Sequence, residues 1–189
     1  PVWRQMQQFT DQRDASTQDE VWLVEHAPVF TLGMNGKPEH LLSPGEIPVI
    51  EIDRGGQVTY HGPGQLVCYV IADQRAEQDL HKHVWRLEEM VIRTLAEFGI
   101  TAGRDKRGIG VWVEGNKIAA VGVRCRKWIT YHGIALNINP NLKHFAGIVA
   151  CGMAESPVTS MWQLGAQVSR AVVEDEICRK STIFSSCRP

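Results

Sequence analysis

The stretch RGGQVTYHGPGQ, residues 54–65, sets a guanidinium (Arg54) and an imidazole (His61) in backbone stripped by four glycines, between the apolar runs IPVIEI and LVCYVI. Glycine supplies turn conformations there, and it also lets a ligand press directly on the main chain. The common phosphate-binding devices do not fit this sequence. Gly62-Pro63-Gly64 comes near a dinucleotide fingerprint, but the chain runs on into QLVCYVI, a strand pattern, where the phosphate needs a helix N-terminus. Gly103 and Gly108 have the Walker A separation, yet Ile109-Gly110 stand where a lysine and a hydroxyl residue must grip phosphate and magnesium. His81 and His83, two residues apart, would point in nearly opposite directions on a helix, so no metal site is expected. His61 and His132 recur in matching YHG contexts. The five cysteines, Cys68, Cys125, Cys151, Cys178 and Cys187, are odd in number and never spaced C-x-x-C, which fits neither a disulfide framework nor a zinc ribbon and suits a reducing cytosol.

The chain that must position these groups has 189 residues, 43% of them hydrophobic, enough to bury one core, and a single domain over residues 1–189 is expected. Twenty Lys and Arg against 21 Asp and Glu leave a net charge of −1, hence no global field for nucleic acid or an anionic membrane. No run of 18 apolar residues and no signal-like segment occur, so a cytoplasmic location is expected. Because the chain opens on Pro1, an N-terminal piece is expected to be missing.

Val2, Met6 and Phe9 recur at helical spacing, and VWLV and VFTLG read as strands. Residues 47–52 and 66–71 have the length and composition of buried strands, with the glycine-rich stretch as the loop between them. Twelve residues exceed what a hairpin turn requires, and Gly55-Gly56 open space beside Arg54. From Leu80 the apolar positions step by three and four to Phe98, and Gly99 follows as a cap. VWV, KIAAVGV and ITYHGIALNIN read as consecutive antiparallel hairpins; a short helical piece at Leu142–Phe145, a loop, and a helix from about Ala166 to Arg179 follow, with an irregular tail over 180–189. The order predicts an α+β domain, a mixed β-sheet with helices laid mainly on one face.

Four ordered motifs, RGGQVTYHGPGQLV, GVWV with NKIAAVGVR, YHGIALNIN and ACGM, resemble the octanoyltransferase family of lipoate biosynthesis, also called lipoate-protein ligase B, over Pro1 to about Leu164. The resemblance implies a fold like the catalytic domain of biotin and lipoate protein ligases. It implies transfer of an octanoyl group from octanoyl-acyl carrier protein to a lysine of lipoyl domains, those of 2-oxoacid dehydrogenases and of the glycine cleavage H protein. The family's acyl-thioester cysteine falls on Cys151 and its partner lysine on Lys117; its substrate contacts fall on Arg54, Gly55, Gly56, Gln57, Val58, Thr59, Tyr60 and His61, on Ala120, Val121 and Gly122, and on Gly133, Ile134 and Ala135. The tail CRKSTIFSSCRP departs from the family's apolar C-terminal helix.

A thiol is mostly protonated at neutral pH, and an ammonium within about 4–6 Å favours the thiolate. Cys151 would then attack the thioester and Lys117 manage the proton, first in acylation and again when the target amine attacks. No cofactor and no ATP are expected, and a monomer is expected. Strict alternation would put Lys117 on one strand face with Ala119 and Val121; Ala119, Ala120, Gly122, Gly133 and Ala135 would leave room for an eight-carbon chain. His61 and His132 could orient the acyl carbonyl or the lysine, or be structural. Arg124, Arg126 and Lys127, with Arg104, Lys106 and Arg107, could steer an acidic carrier protein. An ATP-dependent lipoate or biotin protein ligase, and a noncatalytic acyl-binding module, remain as alternatives.

Overall fold

The computed structural model describes residues 2–14, 16–149 and 157–187. Helix α1 (Val2–Gln12) precedes strands β1 (Glu20–Val24), β2 (Val29–Leu32), β3 (Val49–Glu51), β4 (Val58–His61) and β5 (Gln65–Asp73). Helix α2 (Leu80–Glu97) leads to β6 (Gly103–Asp105), β7 (Gly108–Val113), β8 (Asn116–Arg126) and β9 (Ile129–Asn137), and the chain closes with α3 (Arg170–Lys180) and a 3-10 segment, Ser181–Cys187. Six strands form an antiparallel sheet in the order β1-β5-β9-β8-β7-β6; three form a smaller sheet, β3-β2-β4, whose β2 and β3 run parallel.

Alternation along β5 sorts the molecule into layers. Leu66, Cys68, Val70 and Ala72 face a core shared with Leu87, Met90, Val91 and Leu95 of α2 and Val173 and Ile177 of α3. Helix α2 forms because its apolar stripe fits that face, because the Asp79 side chain caps it by accepting from the Lys82 amide at 2.9 Å, and because Gly99 takes φ +73° just beyond its end. The opposite face of the large sheet carries Val67, Tyr69 and Ile71, and Met6 of α1 packs there with Ile71, Ile129 and Tyr131. Helices therefore cover both faces, where one was expected, because the apolar edge of α1 matches the β5–β9 face that α2 leaves uncovered.

In the small sheet two strand assignments differ from the sequence reading. Residues 54–65 are not one loop: Val58–His61 is a fully buried strand, antiparallel to β2, and Tyr60 joins Phe30, Val58 and Ile148 in a small core of its own. Glycines on both sides disguise a β-branched and aromatic run. In contrast, Val49–Glu51 is exposed throughout, since β3 is an edge strand bonded on one side only. The C-terminal helix starts at Arg170, four residues later than its apolar pattern suggests, after a left-handed Gly165 at φ +92°.

Leu87 is fully buried between α2 and the sheet. Leu87→Ala is expected to cost about 2–5 kcal/mol, read as a lower urea midpoint at unchanged slope.

Candidate functional site

A cavity of about 770 Å³ lies between the two sheets, mostly on the face of the large sheet opposite α2 and α3, and reaches Val84 of α2 and Ile109 of β7 at one end. Its floor is where two strands carry almost no side chain: Ala120 pairs directly with Ala135, and Gly122 with Gly133. Gly133 is obligatory, since a Cβ there would lie 2.0 Å from the Cys68 carbonyl oxygen on β5. Gly122 serves the roof, because its Cβ would meet Arg54 Cδ and Gly55 O at 3.0 Å.

That roof is the stretch following β3. Arg54 is 7% exposed, and its guanidinium donates to the Thr31 carbonyl at 2.6 Å, the Thr31 hydroxyl at 2.8 Å and the Gly55 carbonyl at 2.9 Å. The amides of Gly33, Met34 and Asn35 donate to the carbonyls of Gln57, Arg54 and Gly56, and the Gly55 amide donates to Val123 O of β8 at 2.8 Å. One buried cation thus knits the small sheet to the large one.

Lys117 reaches the same space through an irregularity in β8. The register between β7 and β8 shifts so that Val111 faces Ala119 while the adjacent Trp112 faces Lys117. The extra residue makes Ile118 and Ala119 both face the α2 core, and turns Lys117 to the face of Ala120 and Gly122. Strict alternation had grouped Lys117 with Ala119 and Val121; the bulge corrects this, and Ala119, 1% exposed, belongs to the core rather than the cavity. Lys117 is itself 5% exposed; its Nζ donates to the Ile109 carbonyl at 3.1 Å and sits 4.6 Å from the centre of the Trp112 ring. Gly110 leaves room for this side chain, since a Cβ there would come within 3.3 Å of Lys117 Cε. Residues 157–159 run parallel beside Lys117, whose amide donates to Pro157 O at 2.9 Å and whose carbonyl accepts from the Thr159 amide at 3.0 Å. Cys151 lies outside the described residues.

Of the other positions singled out from sequence, Arg54, Gly55, Gly56, Gln57, Val58, Thr59 and His61 line the cavity, as do Ala120, Val121, Gly122, Gly133, Ile134 and Ala135. Tyr60 does not: it points into the small core, against Phe145 and the His144 ring 4.9 Å away. The basic clusters are largely neutralised. Arg104 pairs with Glu88 and Glu89, Arg107 with Asp105, and Arg126 with Asp11.

A set of polar side chains, some lining the cavity and some behind it, is joined by hydrogen bonds. Asp53 accepts from Trp3 Nε1 at 2.7 Å, Gln7 Nε2 at 3.2 Å, His132 Nε2 at 3.0 Å and the Tyr131 hydroxyl, tying α1 to the cavity. His132 takes φ +64° to make that bond. His26 meets the Tyr69 hydroxyl at 2.7 Å, and its ring centre is 5.9 Å from that of His61. His61 Nδ1 lies 2.7 Å from Gln65 Oε1. The signal for Asp53 was its place next to Arg54; nothing in the local pattern pointed to His26.

Burial decides the protonation of this wall. It pushes His61 down to about 3, against the opposing bond to Gln65, and the nearby Arg54 adds to the effect. It lowers His26 and also His132, where it outweighs the Asp53 carboxylate. Burial would raise Asp53, but the bonds from His132, Tyr131 and Gln7 prevail and bring it to about 2. Neutral imidazoles therefore line the cavity, one of them donating to an ionised carboxylate.

The catalytic-domain family of lipoyl protein ligases A and B matches residues 2–181. The chain belongs to that family. Within it, proteins named octanoyltransferase are similar along most of this ligase-family chain: that of Xanthomonas campestris pv. campestris is 50% identical over 185 residues, covering 95% of this chain and 80% of its own, and that of Chromobacterium violaceum is 49% identical over 178 residues, covering 94% and 86%. Among solved structures, lipoate-protein ligase A bound with ATP superposes with a TM-score of 0.77 at 14% identity, over 95% of this chain and 78% of its own. The bipartite lipoate protein ligase of Thermoplasma acidophilum superposes at 0.72 and 15% identity, over 98% and 75%. At such identities the likeness is one of fold, and it bears out the α+β architecture of lipoyl and biotin ligase catalytic domains.

The neutral imidazoles of this ligase-family domain make its stability depend on pH. His61 near 3 and His83, which burial also lowers, to about 4, bind fewer protons folded than unfolded below their ordinary 6.5, so stability falls as pH drops from 6.5 toward 4. Urea titrations should show that slope, and His83→Gln, which does not line the cavity, should flatten part of it; a level profile would contradict buried neutral histidines.

Proposed function

We propose that the protein transfers an octanoyl group from octanoyl-acyl carrier protein to a lysine of lipoyl domains, those of 2-oxoacid dehydrogenases and the glycine cleavage H protein. Cys151 is the nucleophile and Lys117 its proton partner. The observation that carries this reading is Lys117: a buried amine on a cavity wall, with a backbone carbonyl and an indole face beside it and no carboxylate ion-paired to it among the described residues. The similarity to proteins named octanoyltransferase supports it, as do the paired small residues of the cavity floor. The carrier protein, the thioester and the acceptor domains rest on the family's chemistry, and so do action as a monomer and in the cytoplasm.

In the first transfer the Cys151 thiolate attacks the thioester carbonyl, a carbon–sulfur bond to Cys151 forms as the one to the carrier breaks, and the departing carrier thiolate takes its proton from the Lys117 ammonium, leaving Lys117 as the free amine. In the second the target amine attacks the acyl-enzyme, a carbon–nitrogen bond forms, Lys117 accepts the amine proton, and the Cys151 thiolate is released. Thioester exchange is nearly balanced and amide formation runs downhill, so no nucleotide is consumed. Arg54 to His61, except Tyr60, and the strand segments at Ala120–Gly122 and Gly133–Ala135 hold the acyl chain. Burying about seven methylenes at ~0.8 kcal/mol each supplies about 5 kcal/mol before ordering costs.

Mixing the enzyme with octanoyl-carrier protein should add one octanoyl group to the intact mass. Cys151→Ser should lose the adduct while staying folded, and Lys117→Ala should slow its formation roughly 10²–10⁴-fold. Strict ATP dependence without an adduct would instead favour ligation of the free acid. Ala120→Leu, facing Ala135 across the floor, should shift the preferred donor to shorter chains; unchanged chain-length preference in a folded variant would remove the floor from the acyl site.

A further inference from the structure

A ladder of buried amides leads away from the cavity behind His61. Asn137 Nδ2 donates to the Thr159 carbonyl at 3.0 Å, Gln65 Nε2 to Asn137 Oδ1 at 2.9 Å, and Gln65 Oε1 lies 2.7 Å from His61 Nδ1. Gln65 and Asn137 are 2% and 4% exposed, so no bulk solvent can substitute for a partner that is turned the wrong way.

The direction of this ladder follows from its ends. A backbone carbonyl can only accept, so Asn137 must offer its NH2 to Thr159 and its oxygen to Gln65. Gln65 must then donate to Asn137, and a second fixed acceptor, the Tyr60 carbonyl 3.4 Å from Gln65 Nε2, demands the same orientation. The Gln65 oxygen is left facing His61, whose Nδ1 has to carry the hydrogen. With burial holding the ring neutral, Nε2 is bare. His61 lines the cavity, and its charged and titratable neighbours there, Arg54, His26 and His132, all disfavour a second proton.

We infer that Gln65 and Asn137 are positioning residues that lock His61 as its Nδ1–H tautomer, so that Nε2 meets substrate as a hydrogen-bond acceptor for the N–H of the incoming amine. A bare nitrogen cannot donate to an acyl carbonyl, so of the two substrate-orienting roles open to His61 the ladder selects the amine. The assignment of the amine rests on the acyl transfer proposed above; the assignment of the tautomer does not. The same ladder ends on Thr159, whose amide donates to the Lys117 carbonyl, so the acceptor and the proton partner are referenced to one strand segment.

Long-range 1H–15N spectra of 15N-histidine-labelled protein read the tautomer without turnover. His61 should show a protonated Nδ1 and an unprotonated Nε2 from about pH 5 to about pH 8, and adding an unmodified lipoyl domain should shift the Nε2 resonance. A protonated Nε2, or no shift on adding the domain, overturns the inference and leaves the acyl adduct untouched. A missing adduct overturns transfer and leaves the tautomer untouched. In Gln65→Leu the tautomer lock is lost, and in single-turnover experiments adduct formation should hold its rate while discharge to the lipoyl domain slows about tenfold, the effect of one lost hydrogen bond. Discharge at the wild-type rate from a folded variant with a mixed tautomer would also overturn it.

Discussion

A guanidinium taken out of water must have its donors satisfied, and Arg54 bonds the small sheet directly and reaches the large one through its neighbour Gly55. Its partners include Thr31 in the small sheet and the carbonyl of Gly55, whose amide is in turn bonded to Val123 of the large sheet. The two sheets are thereby held at a fixed spacing without apolar side chains filling the space between them. Packing alone would close such a gap, since a void forfeits contacts on all sides. The cavity therefore depends on a polar brace, and the glycines at 33, 55, 56 and 122 are what let that brace lie flat against both strands.

The second consequence is electrostatic. Several imidazoles bordering one cavity could make it a cluster of charge near neutrality, but burial keeps His26, His61 and His132 uncharged. The ionised carboxylate bonded to His132, Asp53, is consumed by four donors and anchors α1 in doing so. The imidazole part of the wall, opposite an alanine and glycine floor, therefore adds no charge to the cavity beyond that of cations such as Arg54 and Lys117.

Much of this was legible in the sequence. The apolar step of α2 with its glycine cap, the hairpins of β7 to β9, and the glycine-rich stretch as a cavity wall all follow from period and residue type. Features set by three-dimensional partners were not. Val58–His61 is a strand because β2 is there to pair with it; Val49–Glu51 is exposed because nothing pairs on its outer side; Tyr60 turns inward because alternation from His61 requires it. Helix α1 covers the other face of the sheet because Asp53 and Ile71 await it there, information spread over 50 residues and more.

The bulge between β7 and β8 separates two kinds of tolerance. Lys117 faces the cavity because of how many residues lie between Trp112 and Ala119, whatever most of those residues are. Insert or remove one, and the amine and the core-facing side chains would trade places unless a compensating irregularity formed elsewhere. Apart from Lys117, Trp112 and Gly110, this hairpin should consequently vary in composition among related chains while holding its length, so an alignment gap there would be a sharper sign of a displaced amine than many substitutions.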